Sequence, residues 1–237
     1  NRAAALAKAD VFARMDADDI AEPQRLEIEY NILTNNKIDV VYSNYTFIDA
    51  DSEQLEGLGR NFKEGCVKPD EIALYPNQIH HPTVMMRRSL FEMVGGYRDF
   101  PCAQDSDLWL RMQEQGAVFY SIEKPLLRYR VNPQGTTQKN LFKQQLTTHY
   151  IYSLSLERLQ NGRDTYSIEN YNDYLKKKGL YSNFQNHLFR YGWWALNEAK
   201  HAIVPVKLFL RVSVVLFVEQ LRSYYLMSKK KKRLLSK

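Results

Sequence analysis

The first apolar residues form a run of small helix formers, Ala3-Ala4-Ala5-Leu6-Ala7, which leads into a strand-like stretch, Asp10 to Met15. That stretch meets Asp16-Ala17-Asp18-Asp19 with no intervening turn signal. Pro23 suits a first helical turn, and Leu26, Tyr30 and Leu33 then recur at helical spacing, which predicts a helix over 25–33. β-Branched and aromatic residues fill Ile38 to Ile48, a predicted strand, and residues 50–79 read as a long polar excursion. Thr83 to Met86 reads as another strand, followed by a short helix from Ser89 that stops at Gly95-Gly96. A helix is predicted from Gln104 to Gln115 on Leu108, Trp109, Leu110 and Met112, with Gly116 ending it. Val118 to Ile122 and Leu126 to Val131 are two further strands. From Lys139 the pattern is helical nearly to the end, broken at Asn161-Gly162-Arg163-Asp164. The expectation is an α/β domain over 1–137, a helical extension over 138–204 and an amphipathic basic segment over 205–237.

Composition narrows this only slightly. With 44% hydrophobic and 25% charged residues in 237, the chain is neither wholly disordered nor fibrous. Cys66 and Cys102 cannot make a disulfide framework or a tetrahedral zinc site by themselves, so a reducing compartment is the default. Charge is more informative once located. Seven basic residues and no acidic one lie between Arg222 and Lys237, and removing them from the +6 total leaves residues 1–221 at −1. The nearly neutral body argues against a nucleic-acid-binding face. The chain opens on Asn1 in helix-forming sequence without a cap, and reads as part of a longer chain.

Three aspartates within four residues, Asp16, Asp18 and Asp19, raise one another's pKa. Bound Mg²⁺ or Mn²⁺ would relieve that repulsion, since hard cations prefer carboxylate oxygen and keep positions open for phosphate. The alternative is a solvated turn in which Asp19 caps the following helix.

Ala13-Arg14-Met15-Asp16-Ala17-Asp18-Asp19-Ile20, with Pro23 and Arg25-Leu26-Glu27 after it, resembles the metal-binding segment of family 2 glycosyltransferases of the GT-A fold. Three later blocks fall in the same order: His81-Pro82-Thr83-Val84-Met85-Met86-Arg87-Arg88, Gly95-Gly96-Tyr97-Arg98, and Ala103-Gln104-Asp105-Ser106-Asp107-Leu108-Trp109-Leu110-Arg111. The resemblance implies an N-terminally truncated, Rossmann-like mixed sheet without the family's opening nucleotide-binding segments. It also implies inverting transfer of a sugar from a nucleotide-diphosphate donor, a UDP-sugar for choice, to a hydroxyl of a glycan or lipid-linked acceptor in cell-surface polysaccharide synthesis. Carried over, Asp16 faces the ribose and metal, Asp18 coordinates Mg²⁺ or Mn²⁺, and Asp105 is the general base. Arg111 could bind phosphate or form an internal ion pair. Asp107 is the second candidate for the base. His81, Asp107 and Trp109 are acceptor candidates, with Trp109 also reading as core. Tyr129-Arg130 fits the family pattern, but Asn132 and Pro133 stand where a histidine is often found.

Lys207, Arg211 and Arg222 fall on one face of a helix over the apolar stretch after Pro205, and a Lys/Arg cluster follows. Val212 to Val218 is too short for the ~20 residues of a spanning helix, so the segment reads as lying on an anionic membrane surface. That places the protein in the cytoplasm on the inner face of the cell membrane, with no nucleic acid among its partners. The competing reading is a non-catalytic, membrane- or partner-attached module. An Asp-x-Asp phosphatase is disfavoured by Ile20, two residues past Asp18, where Thr or Val would be usual.

Overall fold

Val40–Ile48 forms the central strand of a seven-stranded mixed sheet in the computed structural model, which describes residues 1–35, 37–60, 62–132 and 141–178. In chain order the elements are α1 (Arg2–Leu6), β1 (Val11–Ala13), β2 (Ile20–Ala21), α2 (Arg25–Asn35), β3 (Val40–Ile48), β4 (Gln54–Leu58) and β5 (Gly65–Cys66). They continue with α3 (Pro69–Leu74), β6 (Val84–Arg87), α4 (Arg88–Met93), α5 (Gln104–Glu114), β7 (Phe119–Arg130), α6 (Leu141–Asn161) and α7 (Ile168–Lys177). Strand order is β1-β6-β3-β7-β2, with β4 also on β3 and β5 also on β7. Only β3 and β7 run parallel; the remaining pairs are antiparallel.

Both faces of this sheet are covered, which is why β3 is buried along nearly its whole length. Alternate residues divide between the faces. Val40, Tyr42, Val84 and Met86 pack with Leu108, Trp109 and Met112 of α5 and with Leu90 and Phe91 of α4. Val41 and Met85 pack on the other side with Leu33, Ile38, Ile122 and Leu126. The result is the expected α/β class, with the edge strand β1 delivering the acidic turn at one end of the sheet.

Three elements depart from the sequence reading. The two strands read at 118–122 and 126–131 are one strand, β7, that runs through Pro125. Proline gives no N–H to the ladder, and the β3–β7 register shifts on both sides of Asn44, which lies opposite it. Asn44 bridges the break: its Nδ2 donates to Glu123 O at 2.7 Å, and its Oδ1 accepts from Phe62 N at 3.2 Å. In α2 the buried face is Arg25, Ile28, Glu29, Ile32 and Leu33, while Leu26 and Tyr30 are 58% and 51% exposed. Leu26 and Tyr30 therefore lie outside the face that Leu33 occupies. The excursion 50–79 holds β4, β5 and α3, elements too short to show a period in sequence.

The chain divides into two compact units, Asn1–Lys139 and Asn140–Lys237. In the second unit α6 ends at Asn161 before a left-handed Gly162 (φ 73°). Ser167 then caps α7 by accepting from Asn170 N at 3.1 Å, with Lys176 and Lys177 in the last turn. Thr147 and Tyr171 join the two helices through a 2.7 Å hydroxyl contact. The basic segment 205–237, and residues 138–140 and 179–204 of the helical extension, lie outside the described residues.

Asn44→Ala should strip Glu123 O, Phe62 N and Phe62 O of their side-chain partner at the register break. A loss of about 1–3 kcal/mol in urea unfolding is expected, and a change below about 0.5 kcal/mol would refute the bridging role.

Candidate functional site

After Ala13 the chain leaves β1, with Arg14 N still donating to Val84 O at 2.8 Å. Arg14 O is held from below: Arg25 Nη2 donates to it at 2.8 Å while Arg25 Nε donates to Glu29 Oε1 at 2.9 Å. Arg25 and Glu29 are 1% and 0% exposed. The acidic turn closes weakly on itself, Asp19 N to Asp16 O at 3.4 Å, and the chain then pairs through β2 with Leu127 and Arg128 of β7. Arg130, at the end of β7, completes the clamp. Its N donates to Asp19 Oδ1 (2.9 Å) and its Nε to Asp18 O (2.8 Å). Its remaining guanidinium nitrogens reach Asp49 O (2.6 Å), Ala50 O (3.0 Å) and Ser52 Oγ (2.8 Å) beyond β3.

This geometry gives the three aspartates different environments. Asp19 is buried, bonds a strand end rather than capping α2, and leaves Oδ2 without a hydrogen bond. Burial pushes its carboxyl up to about 6 against the pull of the Arg130 N–H, and the charges of Asp16 and Asp18 add to the rise. Asp16 pairs with Arg14 and keeps 39% of its side chain exposed. Asp18 is exposed, and its carboxylate has no hydrogen-bond partner among the described residues.

The opposite wall comes from the turn before β6 and from α5. His80 stacks on Tyr45 at 4.0 Å and meets Tyr129 edge-on at 4.6 Å. Burial pulls its pKa down to about 4, and the nearby Asp16 charge opposes this. His81 Nε2 lies 2.8 Å from Tyr97 Oη. Burial lowers the pKa of His81, with Asp105 and Asp16 opposing and Arg14 reinforcing. Asp105 is part-buried in the first turn of α5, where its Oδ1 accepts from Ser106 N at 2.8 Å. Ala103 before it takes a left-handed φ of 55°, a strained entry for a residue with a side chain. Asp16, His81 and Asp105, from three separate elements, thus share one electrostatic neighbourhood.

The other candidates lie elsewhere. Asp107 is fully buried, and its Oδ2 accepts from Arg111 Nε at 2.8 Å. Arg111 is 6% exposed and also donates to Val94 O and Gly96 O, so the structure places it in the internal ion pair rather than toward a phosphate. Trp109 is 0% exposed, in the core beside Phe119 and edge-on to His81. Of the acceptor candidates, His81 alone sits among the site carboxylates. Tyr97, Tyr45 and the clamping role of Arg130 were not anticipated; the tandem glycines before Tyr97 were the one available signal for it.

Among the described residues no three His, Cys, Asp or Glu side chains are grouped to hold a metal ion. An exposed, unpartnered Asp18 next to Asp16 does fit the looser mode of Mg²⁺, held by one or two carboxylates with water and substrate phosphate completing its shell.

Residues 1–95 match the model of glycosyl transferase family 2. An uncharacterized glycosyltransferase of Methanocaldococcus jannaschii is 32% identical over 154 residues, 63% of this chain and 52% of that protein. An O-antigen biosynthesis glycosyltransferase of Escherichia coli is 28% identical over 143 residues, 60% of this chain and 55% of that one. An amylovoran biosynthesis glycosyltransferase of Erwinia amylovora is 26% identical, over 65% of this chain and 57% of its own. The chain thus spans about half the length of the curated relatives it matches. TarS 1–349 of S. aureus, solved in complex with UDP-GlcNAc, aligns with a TM-score of 0.54 at 11% identity, covering 98% of this chain and 70% of that one. The fold is GT-A, and the sequence resemblance to family 2 glycosyltransferases stands.

His80 generates a pH test. The unfolded chain binds a proton at His80 below about pH 6.5, which the folded chain refuses until about 4, so this residue lowers stability as pH falls through that window. Asp19, with its raised pKa, acts in the opposite sense, so the comparison must be with a variant. His80→Phe keeps an aromatic ring against Tyr45. Relative to wild type it should gain ~2 kcal/mol between pH 7 and pH 4 in denaturant unfolding. Parallel pH profiles would refute the assignment.

Proposed function

We propose, with the family match over residues 1–95 as premise, that this chain carries the acidic turn and general base of an inverting, metal-dependent glycosyltransferase. The donor is a nucleotide-diphosphate sugar and the acceptor a hydroxyl of a glycan or lipid-linked sugar, in the synthesis of a cell-surface polysaccharide. The observation that carries this reading is that Asp16 of the acidic turn and Asp105 of α5, from separate elements, both act electrostatically on His81. The UDP-GlcNAc complex of the TarS relative in fold supports the donor class, and the O-antigen and amylovoran relatives support the product class.

Asp18, exposed and unpartnered, and Asp16 would hold Mg²⁺ or Mn²⁺, which when bound supplies Lewis-acid neutralisation of the charge growing on the leaving diphosphate. Asp105 takes the proton of the acceptor hydroxyl as that oxygen bonds to the anomeric carbon. The bond from that carbon to the diphosphate oxygen breaks on the opposite side, and its electron pair leaves with the nucleoside diphosphate. One displacement inverts the anomeric centre. Part-burial of Asp105 excludes some of the water that would compete for its proton-accepting oxygen, while its tie to Ser106 N fixes the carboxylate plane. The Arg25 and Arg130 clamps hold the main chain of the acidic turn, so that Asp18 need not be ordered at the moment of binding. No helix among the described residues is long and apolar enough to cross a membrane. The proposed attachment to an anionic membrane at its inner face rests on the basic sequence over 205–237.

A thermal-shift titration with UDP, with and without Mn²⁺, tests the donor site. Wild type should gain a few degrees with UDP only when Mn²⁺ is present, and Asp18→Asn should lose that gain. A UDP shift independent of Mn²⁺ and of Asp18, or no shift with either, would count against the metal-dependent reading and favour a non-catalytic module.

A further inference from the structure

The turn after α4 places a phenol against His81. Gly95 and Gly96 take φ of 77° and 66°, values that cost glycine little. A Cβ on Gly96 would come within 2.9 Å of Asn1 Oδ1 and 3.0 Å of Phe91 Cζ. This double turn presents Tyr97, whose main chain is held by the Asn1 side chain: Tyr97 N to Oδ1 at 2.9 Å and Nδ2 to Tyr97 O at 2.8 Å. The Tyr97 ring packs on Phe91 at 5.3 Å. From the other side, Arg111 binds Val94 O and Gly96 O while gripping Asp107 on its own helix, α5. Asp105 stands on that same helix. A single buried ion pair therefore registers the tyrosine loop against the candidate base.

The Tyr97 hydroxyl and His81 Nε2 are 2.8 Å apart, and their rings meet edge-on at 5.6 Å. Both groups stay neutral near pH 7, since burial lowers the pKa of His81 and raises that of Tyr97 to about 12. A phenol O–H is a stronger donor than a neutral imidazole N–H, and a bare imidazole nitrogen a stronger acceptor than a phenol oxygen, so the hydrogen bond runs from the Tyr97 hydroxyl to Nε2. That leaves the single imidazole proton on Nδ1. The charges whose fields reach this ring are those of Asp105, Arg14 and Asp16.

We propose that Tyr97 is a positioning residue of the transfer site: by donating to Nε2 it holds His81 as the Nδ1–H tautomer and fixes the ring beside Asp105. With Nε2 occupied, His81 is kept from becoming an imidazolium that would pair with Asp105 and weaken it as a base. The neutral Nδ1–H remains as a donor for a hydroxyl of the acceptor sugar. This role rests on the transferase reading above; the tautomer does not.

A long-range ¹H–¹⁵N correlation spectrum of the full chain tests the bond. His81 should show a protonated Nδ1 and a bare, hydrogen-bonded Nε2, and Tyr97→Phe should shift the ring toward the Nε2–H form that dominates in water. A wild-type proton on Nε2, or a spectrum indifferent to Tyr97→Phe, overturns the proposal. The wild-type spectrum suffices if the variant does not fold. Release of UDP from UDP-GlcNAc tests the role. Tyr97→Phe should lower turnover roughly tenfold while leaving KM for UDP-GlcNAc and the melting midpoint in place. Unchanged turnover in a variant whose tautomer has moved overturns the positioning role. Asp105→Asn separates the two claims: UDP release that survives it, or none from wild type, counts against the transferase reading and leaves the Tyr97–His81 bond standing on the spectrum.

Discussion

The buried pair of Arg25 and Glu29 is the contact on which the acidic turn depends. Glu29 is fully buried, and burial pushes its carboxyl up to about 7 even though Arg25, 2.9 Å away, pulls it down. One carboxylate oxygen, Glu29 Oε2, has no hydrogen bond. A pair of this kind adds little to stability, because desolvation offsets most of the attraction. It fixes position instead. The guanidinium left over after binding Glu29 takes the carbonyl of Arg14, the last residue tied to β6 before the chain turns into Asp16. Loss of either partner would strand a buried group directly beneath the aspartates.

The same device recurs around the site. Arg111 spends its guanidinium on Asp107 and on the carbonyls of Val94 and Gly96. Arg130 binds the carbonyls of Asp18, Asp49 and Ala50. Arg87 donates to Ile38 O and Leu33 O, behind the start of β3. In each case carbonyls of a loop, or of the last turn of a helix, that no ladder takes up are satisfied by a fork of fixed geometry, which lysine could not supply. Loops held this way can present carboxylates with little reorganisation left for the binding step.

How far this was legible in sequence follows from the same contacts. The order of the blocks and the strands β3 and β6 were plain, because an unbroken run of apolar, β-branched and aromatic residues marks a strand covered on both faces without tertiary context. The buried face of α2 was not. Its positions 25, 28, 29, 32 and 33 have helical spacing, but two of the five are charged, so a reading built on apolar residues chose Leu26 and Tyr30 instead. Pro125 looked like the end of a strand because only the side chain of Asn44, about 80 positions away, makes the break tolerable. Asp16, Asp18, Asp105 and His81 were candidates from their motifs and lie in the acidic turn, the first turn of α5 and the turn before β6, whereas the burial of Asp107 with Arg111 could not be told from spacing alone.

That ambiguity has a physical origin. An Asp and an Arg four apart on a helix are equally suited to grip each other and to face a substrate, and the local sequence is the same in both cases. The distinction is made by what the arginine's remaining donors find. Arg111 meets two carbonyls freed by the left-handed glycines at 95 and 96, so the glycines that bring Tyr97 into the site are also what draw Arg111 and Asp107 away from it. Asp105 lies two residues before Asp107, on a different side of α5 and outside that network, where its charge acts on His81. The tandem glycines and the ion pair behind them therefore decide together which of two neighbouring aspartates is locked in a buried ion pair and which stays only part-buried.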